Sequence, residues 1–278
     1  MEDNMLKVNN LTFSYGRHRV FKNISFQIRK GELCALFGPN GTGKTTLFKC
    51  CLKFLVPESG TVRINGKDIH RLKPKQMARL VAYVPQAHHC AFPFTVSQMV
   101  LMGRTPHLNR FFTPETKDRE LADQAMQTLG ISHLSGMAFN QLSGGQQQMV
   151  LIARAIAQQT ELIFLDEPAA ALDFKNQINL WQTLQAIAKQ GTAILACTHD
   201  PNHVSWFCDS TVVLDKSGLF AKGSPGQVMT QEMMDHIYGD ACRVKDIDGL
   251  KIMVPGQVDT RTTNIVAFPE NRKGIYHK

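Results

Sequence analysis

The chain alternates short apolar runs with segments whose apolar residues recur at helical spacing, which predicts a mixed α/β core. Over residues 5–30 the apolar runs alternate with polar positions: Leu6-Lys7-Val8, Leu11-Thr12-Phe13 and Ile24-Ser25-Phe26-Gln27-Ile28. That period of two predicts an antiparallel sheet open on one face. Leu33-Cys34-Ala35-Leu36-Phe37 is apolar throughout and predicts a buried central strand. A helix is expected over residues 45–55, with Leu47, Phe48, Cys51, Leu52 and Leu55 on one face and Pro57 ending it. Asn65-Gly66 then separates two short runs, the signal of a tight hairpin.

From about residue 87 to 141 the character changes. Pro93, Pro106 and Pro114 interrupt helical and loop-like stretches, which predicts an inserted helical subdomain. Strand composition returns at 161–165, 192–198 and 211–214. Between the first two, a helix over 174–190 places Ile178, Trp181, Leu184 and Ile187 on one face, with Gly191 at its end. Near the C-terminus Met233, Met234 and Ile237 share a helix face, and residues 250–255 read as a strand.

Composition narrows the class. A chain of 278 residues, 43% hydrophobic and 19% charged, is an ordinary globular protein. No run approaches the ~18 apolar residues of a membrane span. The opening MEDNMLKVNN has no apolar stretch between a basic start and a cleavage site, so no secretory signal is expected. Seven cysteines without a C-x-x-C pair predict reduced, buried thiols. The formal net charge of +8 is dispersed, with no basic run of five, so a mildly basic solvated surface is expected. His88, His89 and Cys90 are adjacent, a poor spacing for joint chelation, and read as a surface loop.

The chemistry begins at Gly38-Pro39-Asn40-Gly41-Thr42-Gly43-Lys44-Thr45, which satisfies G-x-x-x-x-G-K-[ST] between a buried strand and a helix. The glycines let backbone N–H groups converge on phosphates, and the helix start adds partial positive charge. Lys44 can reach the β- and γ-phosphates, and the Thr45 hydroxyl can ligate Mg²⁺. Leu162-Ile163-Phe164-Leu165-Asp166-Glu167 supplies carboxylates at the end of a buried strand: Asp166 to hold Mg²⁺ and Glu167 to accept the proton of an attacking water. Leu142-Ser143-Gly144-Gly145-Gln146 forms a second potential anion site at a helix start. One P-loop and one further helix-start site suggest a nucleotide shared between two copies related by a two-fold axis.

These motifs resemble the ATP-binding cassette (ABC) ATPases over roughly residues 5–240. The resemblance implies a P-loop α/β core with an antiparallel β subdomain and an inserted helical subdomain at about 87–158. It places the ATPase domain at 1–240 and a short C-terminal extension at 241–278. Gly38, Pro39, Asn40, Gly41, Thr42, Gly43, Lys44, Thr45 and Thr46 match Walker A, and Ser143, Gly144, Gly145 and Gln146 the signature. Tyr15 matches the aromatic residue that stacks on adenine. Gln86 matches the Q-loop glutamine that contacts Mg²⁺ and water, Asp166 and Glu167 match Walker B with the catalytic glutamate, Asp173 ends the D-loop, and His199 matches the switch histidine at the γ-phosphate. Two positions depart from the family pattern: Ala170 where the D-loop usually has Ser, and Gln147 where Arg or Lys commonly follows the signature. Neither removes a catalytic group.

Phe92-Pro93-Phe94-Thr95-Val96, the stretch from Val100 to Leu108 and Leu151-Ile152-Ala153-Arg154-Ala155-Ile156-Ala157 resemble the ATPases serving iron-siderophore, haem and cobalamin importers. A related molybdate/tungstate importer has a similar Val-Leu-Met-Gly-Arg stretch. Met137-Ala138-Phe139-Asn140-Gln141 replaces the V-G-E-x-G-like stretch of exporters. The implied activity is hydrolysis of ATP, with Mg²⁺, to power uptake of a metal chelate. The implied partners are a second copy of the chain, membrane permease subunits and, indirectly, a substrate-binding protein, at the cytoplasmic face of the membrane. The alternatives are the ATPase of a molybdate/tungstate oxyanion importer and, in a different class, a soluble ABC ATPase without a permease.

Overall fold

The computed structural model describes residues 4–86, 92–108, 113–216 and 218–256. The loop reading at His88, His89 and Cys90, and the end of the C-terminal extension, lie outside the described residues.

Two long strands open the chain, β1 (Asn4–Tyr15) and β2 (His18–Arg29), paired antiparallel. The separate runs at Leu6 and Leu11 belong to one strand. A bulge joins them: Val8 pairs with Phe26 but Leu11 with Ile24, and Asn10 takes a φ of 47° in between. Its N–H finds Ser25 Oγ at 2.7 Å, so the interruption leaves that donor satisfied.

β3 (Leu33–Phe37) is buried along its whole length, as its apolar run requires. α1 (Lys44–Cys51) ends four residues short of the helix expected over 45–55. Pro57 is not what stops it. Lys53 adopts a φ of 63°, and the N–H groups of Phe54 and Leu55 both turn back to the Lys49 carbonyl. Lys53 Nζ also spans to the carbonyls of His70 and Leu72, at 3.0 Å each, anchoring the turn from outside the helix.

β4 (Ser59–Ile64) and β5 (Lys67–Asp68) form the expected hairpin, with Asn65 at φ 47° and Gly66 at φ 71°, the two positive values such a turn demands. The antiparallel sheet runs β2-β1-β4-β5.

α2 (Pro74–Leu80) starts on a proline, whose missing N–H is harmless there, and leads into β6 (Val81–Val84). Three helices follow: α3 (Val96–Leu101), α4 (Thr116–Thr128) and α5 (Gly144–Ala157). The remaining core elements are β7 (Leu162–Asp166), α6 (Phe174–Lys189), β8 (Ala193–Thr198), α7 (Pro201–Phe207), β9 (Ser210–Asp215) and β10 (Gly218–Gly223). α8 (Pro225–Val228), α9 (Gln231–Tyr238), β11 (Cys242–Ile247) and β12 (Leu250–Pro255) complete the described chain.

The large sheet has the order β10-β9-β3-β8-β7-β6, parallel except for β10 at its edge. Period-two alternation sorts its side chains into two cores. On β8, Ile194 and Ala196 join the helical layer with Trp181, Leu184 and Val150, while Leu195 and Cys197 join Phe48 and Leu47 of α1 beneath the antiparallel sheet. A third cluster holds Phe37, Val213, Met233, Met234 and Met253, tying the C-terminal hairpin to the sheet. The methionine face expected on α9 is therefore core.

Within the inserted helical region a buried ion pair ties its segments to one another. Arg104 Nε lies 2.9 Å from Asp118 Oδ1, and Arg104 Nη1 donates to the Ala157 carbonyl at 2.9 Å. Burial alone would raise the Asp118 carboxyl's pKa. The bond and charge from Arg104, with the Glu115 N–H, outweigh it and hold the carboxyl below its usual range.

Candidate functional site

Parallel pairing lines up the C-terminal ends of four strands. Phe37 pairs with Thr198, Asp166 with Cys197, and Val84 with Leu165. The residues just beyond those ends, Gly38, Gln86, Glu167 and His199, therefore gather at one edge, where open α/β sheets bind ligands.

The loop from β3 into α1 requires glycine at its first position. Gly38 has a φ of 151°, and a Cβ there would sit 2.1 Å from the Leu214 carbonyl oxygen, a backbone atom that cannot yield. At the other end Gly43 starts α1 without a side-chain cap, and no acid lies in the first turn. The helix start thus offers uncompensated N–H groups to an anion. Lys44 is buried, and its Nζ donates to the carbonyls of Gly38 at 2.7 Å and Pro39 at 3.0 Å, so the ammonium is held inside the loop's curl. Thr42 Oγ1 also donates to Pro39, at 3.0 Å.

Beside it, Thr45 Oγ1 donates to Asp166 Oδ2 at 2.9 Å across 121 residues of sequence. A hydroxyl and a carboxylate converging on one point, next to a phosphate-type loop, are the donor set a hard divalent cation takes. The residues fit Mg²⁺ on that ground. Burial pushes the Asp166 carboxyl up, and Thr45, the Cys197 thiol and the Lys44 charge offset only part of that rise.

Glu167 is buried at the mouth and adopts a φ of 52°, a costly conformation for a non-glycine residue and one that turns its side chain out of strand alternation. Its Oε2 lies 2.9 Å from His199 Nδ1. A cavity of about 400 Å³ gathers Tyr15, Asn40, Gly41, Lys44, Thr46 and Gln86 around Thr45, Asp166 and Glu167. Tyr15 stands half-exposed at its rim, edge-on to Phe13 at 4.8 Å. His18 and Val20 line the same cavity. The sequence pattern does not single them out; their signal is their position just after the Gly16-Arg17 turn, where the hairpin folds back.

Ser143, Gly144, Gly145, Gln146 and Asp173 do not join this cavity. They line another, of about 520 Å³, together with Asn176. Ser143 caps α5: the Gln146 N–H meets its hydroxyl at 3.3 Å, and Gln146 Oε1 takes the Ser143 N–H at 3.0 Å. Asp173 caps α6 through the Asn176 N–H at 2.9 Å. Gln147 uses its amide to donate to the carbonyls of Phe139 and Leu142, at 3.2 Å each, and so braces the turn ahead of α5. The two cavities are thus separate within one chain.

The chain is similar to known proteins. The family described as ABC transporter matches residues 21–170. A Helicobacter pylori protein named for iron chelatin transport is 39% identical over 236 residues, 84% of this chain and 92% of its own. The ferric enterobactin transport ATP-binding protein FepC of Escherichia coli K12 is 33% identical over 93% of this chain and 97% of its own. Among solved structures, an ABC transporter described as of metal-chelate type, in an inward-facing conformation, aligns with a TM-score of 0.79 at 32% identity, covering 91% of this chain and 97% of the matched one.

Proposed function

The chain belongs to the ABC transporter ATP-binding proteins, which hydrolyse ATP to drive transport, and from that premise we propose that it powers import of a metal chelate of the iron-siderophore, haem or cobalamin class. The observation that carries the catalytic half of this reading is the convergence of Thr45 and Asp166, with Glu167 and His199 paired beside them.

Backbone N–H groups of Asn40, Gly41, Gly43, Lys44, Thr45 and Thr46 cradle the phosphates, while Gly38, Pro39 and Thr42 shape the loop behind them. Lys44 leaves its loop carbonyls for the β- and γ-phosphates, and Tyr15 stacks on the adenine. Thr45, Asp166 and Gln86 would hold Mg²⁺, which when bound offsets phosphate charge. Glu167 accepts the proton of the water that attacks the γ-phosphorus in line, the bond to the β–γ bridging oxygen breaks and ADP leaves, and His199, against Glu167, contacts the γ-phosphate. Most of the acceleration comes from positioning and fixed charge.

The opposite face of each nucleotide needs Ser143, Gly144, Gly145 and Gln146 from a second copy, with Asp173 at the same interface. Two chains close head-to-tail around two ATP molecules, and hydrolysis reopens them. Among the described residues no helix is long and apolar enough to cross a membrane. In this reading the transmembrane path is formed by separate permease subunits. Their docking place is the apolar groove of about 390 Å³ lined by Leu52, Phe54, Leu72, Met77 and Tyr83. Phe54, 63% exposed, stands at this groove, which adjoins the strand leading to Gln86.

The test is affinity purification of the tagged chain from detergent-solubilised membranes, with mass spectrometry of its partners. A many-helix permease is expected, and its identity narrows the cargo. Recovery of soluble partners alone would overturn the importer reading.

A further inference from the structure

Tyr238, the last residue of α9, reaches back to the segment that follows β8. Its hydroxyl donates to the His199 carbonyl at 3.1 Å. Its ring packs edge-on against Phe37, centroids 6.4 Å apart at 65°. Phe37 is the last residue before Gly38, so one side chain spans the root of the phosphate loop and the backbone of His199.

The same segment is held beyond His199 as well. The Asp200 N–H donates to Thr198 Oγ1 at 3.1 Å, and Asp200 caps α7 by accepting the Asn202 N–H at 2.8 Å. α7 in turn carries the C-terminal hairpin. Asn202 exchanges two hydrogen bonds with the backbone of Met253, at 2.8 and 3.2 Å, and Ser205 and Trp206 both donate to the Lys251 carbonyl.

The imidazole has less support than its backbone. Its side chain is 57% exposed, and Glu167 is its one hydrogen-bond partner among those described above. Its placement is therefore set largely by the orientation of the peptide that carries it. We infer that Tyr238 is a positioning residue for ATP hydrolysis: its hydroxyl fixes the His199 peptide, so that the imidazole stays aligned with Glu167. This rests on the roles proposed above for His199 and Glu167.

The chemistry suits a permanent donor. Burial, then the nearby Cys242, Asp200 and Glu167, push the Tyr238 phenol up to about 12, so it keeps its proton throughout the neutral range. The ring's packing on Phe37 and the hydroxyl's bond are chemically separable, because Tyr238→Phe removes only the second. A hydrogen bond handed to water loses its direction, and small misplacements of a reacting group are costly in rate.

The experiment is steady-state ATPase kinetics of purified wild type, Tyr238→Phe, His199→Ala and the double variant, with melting temperatures alongside. Expected are a kcat about five- to tenfold lower in Tyr238→Phe, with KM for ATP and melting temperature unchanged. His199→Ala should lose nearly all turnover, and adding Tyr238→Phe to it should cost nothing further. Wild-type kcat in Tyr238→Phe, with His199→Ala inactive, would overturn the inference and leave the reading of His199 standing. So would a raised KM or lowered melting temperature with kcat kept, which is plain packing. Full activity in His199→Ala would overturn the reading on which the inference rests.

Discussion

Glu167 Oε2 and His199 Nδ1 lie 2.9 Å apart, although they come from two different strand ends 32 residues apart in sequence. Neither is placed by helix or strand periodicity. Glu167 is turned by its φ of 52°, and His199 follows the last residue of β8. Their contact makes a hydrogen-bonded couple at the edge of the phosphate cavity.

Glu167→Gln keeps the shape and hydrogen-bonding reach of that side chain but cannot take a proton. Hydrolysis should slow by roughly 10²–10⁴ while ATP binding persists. Size-exclusion chromatography with ATP should show a trapped dimer. Undiminished turnover would remove Glu167 from the general-base role.

Lys44→Ala deletes the cation held inside the loop. Titration with a fluorescent ATP analogue should show ATP affinity falling by at least tenfold, since charge-assisted bonds to phosphate are worth about 1.5–3 kcal/mol each. Unchanged affinity would refute the phosphate role.

Ser143→Arg fills the second cavity and leaves the first intact, because the two are separate within one chain. Hydrolysis should stop with ATP binding retained. Mixing this variant with Lys44→Ala should restore activity at one of the two shared sites. Full-rate hydrolysis by a strict monomer would disprove the shared site.

Arg104 and Asp118 form a buried pair, with side chains 7% and 13% exposed. Arg104→Ala strands a buried carboxylate, and urea denaturation should show a loss of about 3–5 kcal/mol. The pair also sets a pH dependence. The folded Asp118 pKa is lowered, so its stabilisation is complete above the unfolded carboxylate value of about 3.9 and fades as pH falls through the lower folded one. The stability gap between wild type and Asp118→Asn should therefore hold constant above about pH 5 and shrink below it. A gap that widened in acid would contradict the sign.

Local sequence decided a good deal. A loop of glycines followed by Lys44 and Thr45 can form only where a strand meets a helix start, and Asn65-Gly66 specifies a hairpin through positive φ values. The apolar runs at 33–37 and 162–165 marked buried strands because a parallel strand covered on both faces has no polar side. The signature turn at Ser143 is legible because it is local: its capping box joins two residues three positions apart.

Tertiary structure decided what no short period encodes. Lys53 took a left-handed φ and ended α1 early, braced by carbonyls at 70 and 72. Thr45 met Asp166 over 121 residues, and Tyr238 met His199 over 39, because strand order and the docking of α9 brought distant ends together. Arg104 found Asp118 by the folding back of one helical segment on another. Such contacts depend on which chain segments the core can close into one sheet and its covering layers, and that is a property of packing over the whole fold. The motifs named the chemical groups; the register of β3, β7 and β8 set the distances between them.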